Sequence, residues 1–148
     1  MVGSLRDPLI CYTTCMTIFE KIINREIPSE IIYEDDMCIG MLDINPATKG
    51  HTLIIPKIKS VDCHVDHIWL IPDKYYDHMW KVAKDLAVHI KEKLNVDRVG
   101  VMVEGYGVPH AHIHLIPLEG PHTFEVYPDK DRSVEASKLK ETAELLRM

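Results

Sequence analysis

The chain of 148 residues carries 17 Lys and Arg against 23 Asp and Glu, a formal charge of −6, and it is 46% hydrophobic and 27% charged. That length buries a core in one domain without disulfide staples. An acidic chain with no basic stripe argues against an extended nucleic-acid surface, and no run approaches the roughly 20 apolar residues that cross a membrane.

Residues 1–15 have no clear period and no basic flank leading into an apolar block, so they read as a loose leader rather than a signal peptide. One domain, 16–148, follows. The four cysteines, Cys11, Cys15, Cys38 and Cys63, are expected as reduced thiols, and the expected location is the cytoplasm, with the nucleus open to a eukaryotic protein.

The elements follow in chain order. "TIFEKIIN" (17–24) spaces Ile18, Phe19, Ile22 and Ile23 for a helix capped by Thr17, and Pro28 breaks the pattern. "EIIYED" and "CIGMLDI" read as strands around an Asp35-Asp36 turn; "NPATKG" is a loop, and "HTLIIP" a third strand. The stretch 57–71 has no clear assignment. The longest helical signal is "PDKYYDHMWKVAKDLAVHIKEKL", with Tyr76, Trp80, Ala83, Ala87, Ile90 and Leu94 as its expected apolar stripe. "RVGVMVEG" and "AHIHLIP" give two more strands joined by "YGVP", and a last helix spans about 133–147. Five strands with helices inserted between groups of them predict an α+β fold with an antiparallel sheet, a long helix packed on it and a C-terminal helix.

In "VPHAHIHLIP" the residues His110, His112 and His114 alternate with Ala111, Ile113 and Leu115. On a strand the three imidazoles line one face while the apolar residues pack beneath. Imidazole titrates near neutrality, so such a row can divide a displacement at phosphorus among nucleophile, anion partner and leaving-group aid. Alternating histidines also bind metal, with His51, Glu104 or Glu119 as further ligands. A polar strand face that tolerates histidine is the plain alternative, and spacing alone leaves all three open.

"HAHIHLIP", together with the upstream block "TIFEKIINREIPSEIIYEDDMCIGMLDINPATKGHTLIIPK", resembles the histidine-triad (HIT) nucleotide-binding family. It is most similar to the Hint branch of nucleoside phosphoramidases, over about residues 17–117. The resemblance implies a HIT-like fold, an AMP-like purine nucleotide ligand, a homodimer, and neither a nucleic-acid nor a membrane partner. It implies His112 as nucleophile at the α-phosphorus, His114 at phosphate and leaving group, His110 as buttress, and His51 beside the phosphate. Asp43 would accept from ribose hydroxyls, with Ile44 as its neighbour. Ile18, Phe19, Ile22, Ile27 and Leu53 match positions around the base, Phe19 as an apolar wall. Gly105 and Gly107 would offer backbone amides, Gly107 being free to take unusual dihedrals. Dinucleoside polyphosphate hydrolysis, or nucleotide binding with little turnover, are the alternatives.

Three departures stand out. Val103 occupies the place of an Asn in the family's "N-x-G", and the "GYGVPH" loop is short, with Val108 and Pro109 in place of polar donors. Activity reduced or redirected is therefore expected. Thr17 and Glu20 stand where some members carry a zinc-binding Cys-x-x-Cys, so no metal or cofactor is expected there. Cys63, His64 and His67 read as an exposed polar loop. The tail resembles the closing helix that shapes substrate choice in bacterial-type members.

Overall fold

The computed structural model describes residues 16–59, 66–121 and 133–148; the expected leader, with Cys11 and Cys15, and the pair Cys63 and His64 lie outside them. A five-stranded antiparallel sheet runs β1-β2-β3-β5-β4. Its strands are β1 Ile31–Glu34, β2 Cys38–Leu42, β3 Thr52–Pro56, β4 Arg98–Met102 and β5 Ile113–Leu118. The helices are α1 Ile18–Ile23, α2 Asp73–Leu94 and α3 Ala136–Leu146, with one 3₁₀ turn at Ile68–Leu70. This is the expected α+β arrangement.

Both faces of the sheet are covered. On one, Leu42, Ile54, Ile113 and Leu115 pack against Met79, Leu86 and Ile90 of α2. On the other, Phe19 and Ile22 of α1 close over Ile39, Met41, Leu53 and Ile55. The period of two explains the split, since neighbours such as Leu53 and Ile54 point opposite ways. All residues of β2 and β3 are buried, as expected of strands sandwiched between layers.

The expected stripe on α2 is corrected by a small rotation. The buried face is Met79, Val82, Ala83, Leu86 and Ile90, while Tyr76, Trp80, Ala87 and Leu94 are only partly buried along its edge. Aromatic rings at the rim mimic the period of the true face one residue away. The helix ends at Asn95, whose left-handed φ of 52° turns the chain into β4. Gly50, with φ 85°, ends the loop before β3, where an added Cβ would fall 2.5 Å from Leu94 Cδ1.

The C-terminus closes one edge of the sheet. Met148 N–H donates to the Ile32 carbonyl at 3.0 Å, and α3 packs on β1 and α2. The opposite edge strand, β4, has no fully buried residue, with Val101 half exposed.

Candidate active site

His51, His110, His112 and His114 are all buried, none more than 5% exposed. β5 begins only at Ile113, so His110 and His112 stand on its lead-in rather than in the strand, a shift from expectation. Their rings nevertheless form the expected row. The His112 and His114 centroids are 4.7 Å apart, and His51 from β3's lead-in sits 5.2 Å from His114. Ala111, Ile113 and Leu115 enter the core under α2. Phe19 meets His112 edge-on at 5.2 Å and His110 at 6.0 Å. It therefore packs the triad, and at 5% exposure it leaves little ring for a base.

Hydrogen bonds determine which nitrogen of each neutral ring carries the proton. His112 Nδ1 lies 2.7 Å from the His110 carbonyl, which only accepts, so Nδ1 holds the proton and Nε2 keeps its lone pair. His110 Nε2–H donates to the Pro56 carbonyl at 3.0 Å, leaving Nδ1 to accept from the Thr17 hydroxyl at 3.2 Å. His51 Nδ1 accepts the Ala47 amide at 3.1 Å, so its Nε2–H donates to His114 Nδ1 at 2.9 Å. His114 then bears its proton on Nε2, a buried atom with no partner among the described residues. A lone pair on His112 and a donor on His114 are thus presented side by side.

Burial keeps these rings neutral. It lowers the pKa of His51, His110 and His112, and carbonyl contacts and nearby carboxylates only partly oppose it. For His114, burial and the adjacent His112 and His51 rings bring the pKa to about 3.

The other expected residues are placed unevenly. Asp43 sits just past β2; its Oδ1 accepts from the Asn45 amide at 2.8 Å, and Oδ2 lies 3.8 Å from His51 Nδ1. Ile22 and Leu53 are core, Ile27 packs partly against them, and Ile18 and Ile44 expose their side chains. The left-handed dihedral falls on Gly105, φ 78°, and not on Gly107 as anticipated. Gly107 has open space around its Cβ position. Val103 packs against the α2-side core and Val108 against the α1-side cluster, which accounts for apolar side chains at those places.

Other contacts reach beyond the cap expected of Thr17 and the metal-ligand reading of Glu104. Thr17 and Glu20 form a reciprocal capping box, and the Thr17 hydroxyl also reaches His110. Lacking thiolates and already engaged, this pair does not fit the zinc of Cys-x-x-Cys relatives. Glu104 places a carboxylate oxygen so that it, one ring nitrogen of His112 and one of His114 lie within 4.8 Å of one another. A cavity of about 580 Å³ opens behind Asp43 and His51, walled also by Lys49, Lys138, Thr142 and Leu145. It brings α3 to the site, but His112 and His114 do not line it. As for metal, both nitrogens of His51 are used, and His114 has no free lone pair unless it gives up its bond to His51.

The HIT domain model matches residues 24–120. This chain belongs to the histidine-triad family. An uncharacterized HIT-like protein of Borreliella burgdorferi is 35% identical over 131 residues, covering 84% of this chain and 91% of that one. The adenosine 5'-monophosphoramidase of Saccharomyces cerevisiae is 39% identical over 101 residues, covering 68% of this chain and 61% of the yeast protein. Among solved structures, a Hit-like protein involved in cell-cycle regulation from Bartonella henselae, crystallised with an unknown ligand, superposes with a TM-score of 0.74. It is 30% identical, over 88% of this chain and 94% of that chain. Among the described residues of this HIT protein, no helix is long and apolar enough to cross a membrane.

Proposed function

We propose that this HIT protein hydrolyses purine nucleoside 5′-phosphoramidates through a nucleotidyl-histidine intermediate. The observation that carries the reading is the unprotonated Nε2 of His112, held in that tautomer by the His110 carbonyl. The lone pair on Nε2 attacks the α-phosphorus and the P–N bond to the amine breaks. The amine leaves with the bonding pair and takes up a proton from a solvent water, and the carbonyl of His110 stabilises the imidazolium through Nδ1–H. Water then attacks phosphorus, the P–Nε2 bond breaks back onto the ring, and the proton taken by the amine is returned by the water. The His114 Nε2–H is available to a phosphoryl oxygen or the departing nitrogen. Asp43 Oδ2 is available to ribose hydroxyls, and exposed Ile18 and Ile44 offer apolar surface for the base. The outer edge of β4, unpaired among the described residues, suits pairing with a second copy, giving a homodimer, in the cytoplasm of the cell.

The test is single-turnover reaction with adenosine 5′-phosphoramidate, followed by mass analysis of protein quenched in alkaline denaturant, where the P–N bond to histidine survives. An added adenylyl group on wild type, missing from His112→Ala, is expected. Release of AMP at the same rate by His112→Ala would overturn the reading. The lower-turnover alternative is favoured by Val103, whose side chain is packed into the core and gives phosphate no polar contact. It predicts AMP binding with no covalent adduct.

A further inference from the structure

Beside His112 lies a second, smaller cleft of about 40 Å³, lined by Asp66, His67, Trp69, Val103, Glu104 and His112 among others. A space of this size holds two or three water-sized groups and has no room for a nucleotide or a run of phosphates. The Gly105 turn seats the β4–β5 connection against this wall, with the Asp66 carbonyl 3.5 Å from where a Cβ on Gly105 would stand. Asp66 and Glu104 both line this small space next to the nucleophile, with the Asp66 carboxylate 3.6 Å from His67 Nε2.

Among the described residues no cationic side chain neutralises the charge of Glu104. Its one hydrogen bond among the described residues is from the Tyr106 amide, at 3.2 Å, and no Lys or Arg there pairs with it. An anion at this place repels a phosphate-bearing substrate unless the substrate brings a positive charge of its own. His114 does not itself line the cleft, but one of its ring nitrogens lies within 4.8 Å of Glu104 and His112, which do. Its buried Nε2, unpartnered among the described residues, is a donor left for a ligand held there. The exposed Trp69 ring adds an aromatic face of the kind that receives cations.

We infer that Glu104, supported by Asp66, determines leaving-group specificity: the small cleft beside His112 selects amines that carry a second, positively charged amino group and rejects polyphosphate leaving groups. This rests on the phosphoramidase reading and names its substrate class. The chemical step is unchanged, with the P–N bond breaking and the amine leaving as above. Glu104 acts on the far end of that amine.

The test compares two adenosine 5′-phosphoramidates of matched length, one of 1,2-diaminoethane, whose free end is cationic, and one of n-propylamine, whose free end is a methyl group. Wild type is expected to show about a tenfold higher kcat/KM for the cationic substrate, a preference that shrinks as salt is raised. Glu104→Gln, which keeps shape and removes charge, is expected to bring the ratio near one, and Asp66→Asn to reduce it part-way. With diadenosine tetraphosphate, Glu104→Gln is expected to gain rate relative to wild type. Equal rates on the two amides by wild type, or an unchanged ratio in Glu104→Gln, would overturn the inference while leaving phosphoramidase activity standing. Failure of wild type to cleave either amide would instead sink the phosphoramidase reading, and the inference with it.

Discussion

His51 donates its Nε2–H to Nδ1 of His114 across 2.9 Å, although the two residues are 63 positions apart. Because Ala47 N–H occupies the other nitrogen of His51, the proton on His114 is forced to Nε2, on a ring whose centroid lies 4.7 Å from that of His112. His51 is thereby a positioning residue: it orients a donor through another ring. Replacing it by Ala should lower the single-turnover nucleotidylation rate by about 10², in the range of a misplaced proton-handling group. A long-range proton–nitrogen NMR correlation should show His114 losing its pure Nε2–H tautomer. A structural role alone would leave that tautomer signal unchanged.

Stability should fall as acid is added, beginning well above the carboxylate range. The four buried histidines have folded-state pKa values below the ordinary 6.5. As pH drops below about 6.5 the unfolded chain takes up protons that the folded one refuses, so the unfolding free energy declines. Each histidine contributes up to about 1.4 kcal/mol per pH unit until its own folded value is reached, which for His114 is about 3. Urea midpoints measured between pH 8 and pH 5 should therefore be flat above pH 7 and slope downward beneath it. Nucleotidylation, which needs neutral His112, should hold its rate to below pH 6.5.

Asp35 should matter for stability and not for chemistry. Its Oδ1 accepts the Met37 and Cys38 amides at 2.7 and 2.8 Å, and its Oδ2 meets Tyr33 Oη at 2.6 Å and His78 Nε2 at 2.5 Å. Burial opposes its charge, but the bonds from Tyr33, His78, Cys38 and Met37 outweigh that and hold the carboxyl well below the usual range. Asp35→Ala should cost about 3 kcal/mol, since charged acceptors are worth more than neutral ones and buried donors are left bare. Its contribution is present above the ordinary carboxylate pKa and is lost as pH falls toward the depressed one. Unchanged urea unfolding in this variant would contradict the assignment.

Asp43 makes a prediction about sugars. With Oδ1 already holding the Asn45 amide, Oδ2 is the oxygen left for ribose. AMP should bind Asp43→Ala about tenfold more weakly, whereas 2′,3′-dideoxy-AMP should bind both proteins alike. Isothermal titration of the four pairs measures the coupling directly, and a loss shared by both ligands would remove Asp43 from the sugar.

Local pattern carried much of the architecture. The alternation around His110, His112 and His114, the Thr17 cap, the loop ending at Gly50, and the apolar runs of β2 and β3 each state their conformation within a few residues. Backbone sterics and a two- or 3.6-residue period act over that range, so strands, helices and the imidazole row were legible. The stripe on α2 was legible only to within one residue, because partly buried rings at Tyr76 and Trp80 share the period of the core face.

What pairs with what across the sheet was a different matter. No spacing rule says that Thr17 will touch His110, that Ala47 and His114 will fix the tautomer of His51, or that Val103 will be drawn into the core while Glu104 beside it turns toward His112. These contacts join residues that the chain brings together only when β3 and β5 pair and α1 and α2 cover opposite faces. Proton placement depends on acceptor distances of a few tenths of an ångström, and those are set by packing. The identity of the histidines was written in the chain; their protonation, and the charge beside them, came from the fold.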